Sequence, residues 1–194
     1  LNHEYLKQNI KYVLEEDKIS IDLYKVLKNV CKFSYIELED ILKEVNIEEK
    51  ELNKVNRFFE IEEFRKIKKK LLKNNKEDFG IVQGSPISAV LSNIYMIKFD
   101  SLINNLITSH NGIYRRYSDD IFIICEKNLC NEIEKGIGEL EKKYQVEISK
   151  DKTEKFIFRN VAIANDNKRL ECFRINEYGK EVSSAMSYLG FEFR

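Results

Sequence analysis

No apolar run in this sequence is long enough to span a bilayer, and no signal-peptide pattern opens it. A spanning helix needs about 20 consecutive apolar residues, so a cytoplasmic location with no membrane partner is expected. An excess of one charge is missing too. Lys plus Arg and Asp plus Glu both number 33, which argues against a purely electrostatic nucleic-acid coat, although a local basic groove fits inside a neutral total. Cysteines stand only at 31, 125, 130 and 172. Cys125 and Cys130 are close, but no second ligand pair completes a zinc site, and scattered thiols read as reduced core residues of an intracellular protein. The chain opens at Leu1 without a methionine, as a piece of a longer protein would.

Glycine and proline, the strongest breakers of regular structure, are absent from residues 1–78. That stretch reads as helical. Tyr5, Leu6, Ile10, Val13 and Leu14 repeat at helical spacing. Ser20 can cap a second helix, and Ser34 with Glu37 forms a capping-box pattern before Leu38. A long charged helix is expected from about Glu48 to Leu72, ending in the basic run RKIKKKLLKNNK. A solvated helical end and a phosphate-contacting patch both account for that run.

What is present is enough for one medium domain: 194 residues, 43% of them apolar. From Asp78 onward Gly80, Gly84 and the single proline, Pro86, crowd together. Ser85 then suits an N-cap and Pro86 the first helical position. Ile87, Val90, Leu91, Ile94, Tyr95, Leu102, Ile103 and Leu106 predict a buried helix to about Ser109. Strands are predicted for IYRRY and IFIIC, separated by Ser118-Asp119-Asp120. A helix over 128–144 follows, then short strands at 146–148 and 155–158. A hairpin in LECFRINEYGKEV and a last strand in YLGFEF complete the chain. The expected class is α+β, helices covering one face of an antiparallel sheet. The expected organisation is a helical segment, 1–78, and a core, 79–194.

The acid pair Asp119–Asp120 is the feature with most chemistry. A solvated hairpin tip explains such a dipeptide on its own. Its flank, Ile121 to Cys125, is apolar at every position and reads as a strand buried on both faces. Two like charges beside it would call for a cation, and Mg²⁺ takes one or two carboxylates plus substrate phosphates.

YSDD, Tyr117 to Asp120, resembles the YxDD hairpin of reverse transcriptases. Three further segments follow that family's order: GIVQGSPISAVLSNIY over 80–95, SKDKTEKFIF over 149–158, and YLGFEF over 188–193. The likeness covers about 80–194 and implies a polymerase palm. LNHEYLK, Leu1 to Lys7, resembles the segment just after the family's first catalytic aspartate. The resemblance thus implies that this aspartate precedes Leu1 and that the 194-residue piece alone is inactive.

By that resemblance Asp119 and Asp120 would hold Mg²⁺, with Mn²⁺ as a substitute, for two-metal nucleotidyl transfer. Tyr117 would lie near the primer end. Gln83, Gly84 and Ser85 would contact the incoming nucleotide, Lys152 would protonate pyrophosphate or steady its loop, and Leu189–Gly190 would form the primer-grip turn. The implied function is RNA-directed DNA polymerase, with an RNA template, a DNA primer and product, dNTPs and a non-coding RNA as partners. Val82, Ser118 and the insertion around 45–76 depart from many relatives. SPISAVLSNIYM and RRYSDD look more like bacterial phage-defence members. Template-independent or protein-primed DNA synthesis stays open, as does a catalytically silent nucleic-acid-binding scaffold.

Overall fold

The computed structural model describes residues 1–162 and 168–194. They form two compact units, one of Leu1–Asn105 with Arg115–Phe122, the other of Leu106–Tyr114 with Ile123–Arg194. Helices and small antiparallel sheets share the chain, so the class is α+β as expected. No described helix is long and apolar enough to cross a membrane.

The first unit begins with α1 (His3–Leu14), whose N-cap Asn2 accepts the Tyr5 N–H, and α2 (Ile21–Cys31), whose cap Ser20 accepts from Leu23. Between residues 34 and 74 the chain makes an excursion with pinned ends. Strand β1 (Ser34–Tyr35) leads into α3 (Leu38–Val45) and α4 (Ile61–Leu71), and β2 (Lys73–Asn74) returns antiparallel to β1.

Two local expectations fail in this excursion. The Ser34–Glu37 capping box does not form, because Ser34 Oγ donates instead to Asn74 Oδ1 at 2.7 Å. The long helix over 48–72 is broken into a short 3-10 turn, Glu49–Lys54, and α4. Val55 and Glu60 are extended, and Glu60 with Glu63 forms the capping box that starts α4 afresh. Of the basic run, Lys70 pairs with Glu44 and Lys73 with Asp40, each at 2.7 Å.

Residues 1–3 run beside 78–80: His3 N–H donates to Asp78 O at 2.9 Å and Gly80 N–H to Leu1 O at 2.8 Å. Next comes α5 (Pro86–Thr108), starting at the expected proline. Its Leu91, Tyr95, Phe99 and Ile103 are buried in the core, as are Leu6 and Ile10 of α1 and Leu27 and Val30 of α2. Buried Asn9 donates to the Tyr95 carbonyl at 2.8 Å, and Tyr5 meets the Tyr95 ring edge-on at 4.9 Å. The unit also holds the tip of a hairpin formed by β3 (Ile113–Tyr117) and β4 (Asp120–Ile124).

In the second unit α6 (Cys130–Tyr144) precedes a three-stranded antiparallel sheet of β5 (Phe156–Ala162), β6 (Lys168–Ile175) and β7 (Glu181–Ser183). Phe158 faces Cys172, and Phe173 faces Ser183. The strand expected at 146–148 is absent, since Ile148 N–H is drawn to the Glu141 carboxylate at 2.8 Å, beside the end of α6. YLGFEF is not one strand. It turns between β8 (Met186–Tyr188) and β9 (Phe191–Phe193). All four cysteines are free. Cys31 and Cys172 are buried as expected while Cys125 and Cys130 are half-buried, and burial pushes each thiol up.

Candidate active site

Strand β3 alternates, as a pleated strand must. Tyr114 is buried and Arg116 half-buried, while Ile113, Arg115 and Tyr117 are exposed. The reversal takes only Ser118 and Asp119, so Asp120 is the first residue of β4 rather than part of the connection. Ser118 adopts φ 53, a left-handed conformation that costs a non-glycine residue free energy. Strand β4 is half-buried, not buried on both faces as its apolar sequence suggests. Asp119 and Asp120 are both exposed, so burial alone imposes no cation on them.

Neither carboxylate has a hydrogen-bond or ion-pair partner among the described residues. Carboxylates are hard-oxygen ligands of the kind Mg²⁺ and Mn²⁺ take, so either acid could hold such an ion if water and substrate phosphates completed its shell. No cluster of three His, Cys, Asp or Glu able to hold a metal occurs among the described residues.

The hairpin is tied to α5 by a residue that motif reading did not single out. Arg116 donates Nε–H to Asp100 at 2.9 and 3.0 Å, and its Nη2 donates to Asp100 Oδ2 at 2.7 Å and to Asn93 Oδ1 at 3.0 Å. Its Nη1 donates to the Ser118 carbonyl at 2.6 Å. Asn93 and Asp100 are seven residues apart, so two helical turns bring them to one face of α5. A signal was available: Lys98 and Asp100 are the only charged residues of α5. An acid in an apolar helix calls for a partner.

Gln83 and Gly84 are exposed in the loop before α5, and Ser85 is half-buried at the N-cap position. The loop is braced by Val82 N–H donating to Val30 O at 3.0 Å and Ser88 Oγ donating to Val82 O at 2.5 Å. Gly84 takes φ 77 with open space where a Cβ would stand, so backbone conformation rather than crowding favours glycine there. These residues share the first unit with Tyr117, Asp119 and Asp120.

Lys152, Leu189 and Gly190 belong to the second unit. Lys152 is exposed at the end of a 3-10 turn, Lys150–Lys152. Leu189 and Gly190 connect β8 to β9 with φ 49 and φ 82, both positive. That geometry belongs to a type I′ hairpin, in which Asn-Gly is strongly favoured. A leucine there gives up stability, while its side chain and those of Phe191 and Phe193 are exposed. Leu189→Asn should accordingly stabilise the fold by about 0.5–1 kcal/mol, read as a higher urea midpoint at unchanged slope.

A family model described as Reverse transcriptase (RNA-dependent DNA polymerase) matches residues 10–193. No curated protein matches the sequence. The match takes in both compact units, the YSDD hairpin, the Gln83 loop and the Lys152 and YLGFEF segments. The chain belongs to the reverse transcriptase family.

Proposed function

We propose that this chain is the palm region of an RNA-directed DNA polymerase, with Asp119 and Asp120 as its metal-holding pair. The observation that carries this is the unpaired, exposed acid pair at a two-residue turn inside a reverse transcriptase match. A divalent ion held there, Mg²⁺ or Mn²⁺, would supply charge neutralisation as a 3′ hydroxyl attacks the α-phosphate of a dNTP and pyrophosphate leaves. Tyr117, exposed beside the turn, offers an aromatic surface at the primer end. Gln83 and Gly84 present a polar side chain and an open backbone to the incoming nucleotide, with Ser85 at the start of α5. Lys152 is a cation suited to the pyrophosphate, and Leu189–Gly190 offers an apolar turn to the primer strand. Residues 79–194 carry these motifs, and 1–78 adds the helical layer with its excursion. Likeness of SPISAVLSNIYM and RRYSDD to phage-defence members supports an antiphage role.

The test supplies the full-length protein with dNTPs, Mg²⁺ and an RNA of defined sequence, then sequences the DNA made with and without that RNA. Product complementary to the added RNA is expected. Product of unrelated sequence made equally well without it would favour template-independent or protein-primed synthesis. RNA binding without any turnover would return the reading to a silent scaffold.

A further inference from the structure

We infer that Arg116 is a positioning residue for the Asp119–Asp120 pair, setting the metal affinity of the hairpin through the Ser118 carbonyl. This rests on the metal-holding role proposed above. Arg116 lies one residue outside the YSDD sequence, and its side chain is only 9% exposed. On a strand it points to the face opposite Tyr117, toward α5 and away from the exposed face. It contributes no oxygen and carries the wrong charge to be a ligand.

Its geometry is that of a bracket. Three of its hydrogen bonds fix the guanidinium on Asp100, as both nitrogens of one edge meet the carboxylate. Such forked pairs are directional as well as strong. Asn93 holds the same edge, and its own amide is oriented by donating to the Ala89 carbonyl at 3.1 Å. The remaining nitrogen, Nη1, reaches the Ser118 carbonyl at 2.6 Å. That carbonyl belongs to the peptide that joins Ser118 to Asp119, so fixing it fixes the plane from which the Asp119 side chain departs. Ser118 gains from such a hold, because φ 53 costs a non-glycine residue free energy. The chain of contacts thus runs from a buried helix, through one arginine, to the backbone of a solvent-facing acid.

Groups that orient metal-binding residues without touching the metal typically change metal affinity by about 10- to 100-fold when removed. Arg116→Gln alone would remove the forked pair with Asp100 and confound stability with position. The informative variant is therefore Arg116→Gln combined with Asp100→Asn, which removes both charges together and leaves the two amides able to pair. Full-length protein carrying this pair is compared with wild type by thermal unfolding, by Mn²⁺ binding followed with electron paramagnetic resonance, and by the Mg²⁺ dependence of dNTP incorporation.

The expected result is an unfolding midpoint near wild type, with the Mn²⁺ Kd and the half-saturating Mg²⁺ both raised about 10- to 100-fold. Arg116→Lys, which keeps the charge but loses the fork, should not restore either value. Wild-type Mn²⁺ binding in the folded double variant would overturn the inference. Should the double variant not fold, Asn93→Ala removes one arm alone, and a several-fold rise in Mn²⁺ Kd is expected; an unchanged Kd would again overturn it. Asp119→Ala separates the two levels. If that variant loses Mn²⁺ binding while the Arg116 variants bind normally, only the positioning role falls, and if it binds Mn²⁺ like wild type, the metal-holding role itself falls.

Discussion

Asp119→Ala in the full-length protein should lower dNTP incorporation by at least about a thousandfold, and Asp120→Ala should lower it less. A bound divalent ion supplies several kcal/mol of charge stabilisation to phosphoryl transfer, and about 4 kcal/mol corresponds to a factor near a thousand. Asp119 occupies the turn itself, unpaired and exposed, with its backbone held through Ser118. Asp120 opens β4, where the alternation of a strand sends neighbouring side chains to opposite faces. One of the two therefore leads as ligand, and the turn residue is the one free to swing toward substrate phosphates. Single-turnover incorporation at saturating primer, measured for both variants, checks the magnitude and the order.

Phe99→Ala should destabilise the protein by about 3–5 kcal/mol, the cost of removing a large buried aromatic from a packed core. Phe99 has no exposed surface and sits between Tyr95 and Ile103 in the buried row of α5. Its loss would leave a void where α5 meets the core of the first unit. The neighbouring residue is Asp100, the anchor of Arg116. A helix loosened at that turn would blur the hairpin position before the protein unfolds globally. Urea denaturation by circular dichroism reads the stability loss, and the Mg²⁺ dependence of incorporation at low denaturant reads the local effect. Phe99→Leu, which retains most of the volume, should recover a large part of both.

Local signals carried far in this sequence where short-range chemistry decides the structure. Pro86 after Ser85 marked the start of α5, and the β-branched and aromatic runs around YSDD marked β3 and β4. Ser20 caps α2 as its position suggested. The failures share a cause. Ser34 reads locally as a helix cap, but a strand partner 40 residues later takes its hydroxyl, and no window of sequence around Ser34 contains Asn74. The charged stretch over 48–72 keeps helical spacing through its middle, yet the Glu60–Glu63 box restarts the helix there. Ile148 leaves a strand pattern for a glutamate of the preceding helix. Apolar composition also overstated the burial of β4, which pairs with β3 in a two-stranded sheet and is half-buried along its middle with both ends exposed.

At the site, the acid pair and the glycine-bounded Gln83 loop were visible as motifs. The support beneath them was not. Arg116 reads as one of two neighbouring arginines, and only the fold shows that strand alternation turns it toward α5 while Arg115 faces solvent. The resemblance placed a turn at Leu189–Gly190, but not that Leu189 would take a φ of 49, a conformation that favours asparagine.

The Asp119 carboxylate is expected to serve metal-dependent DNA synthesis on RNA. The most direct measurement extends a labelled primer on a defined RNA with the full-length protein, comparing wild type with the near-isosteric Asp119→Asn. Wild type should add dNTPs complementary to the RNA only when Mg²⁺ or Mn²⁺ is supplied, and Asp119→Asn, folded and bound to the same RNA, should add none above background. Extension by Asp119→Asn at the wild-type rate would show that this carboxylate is not needed for synthesis.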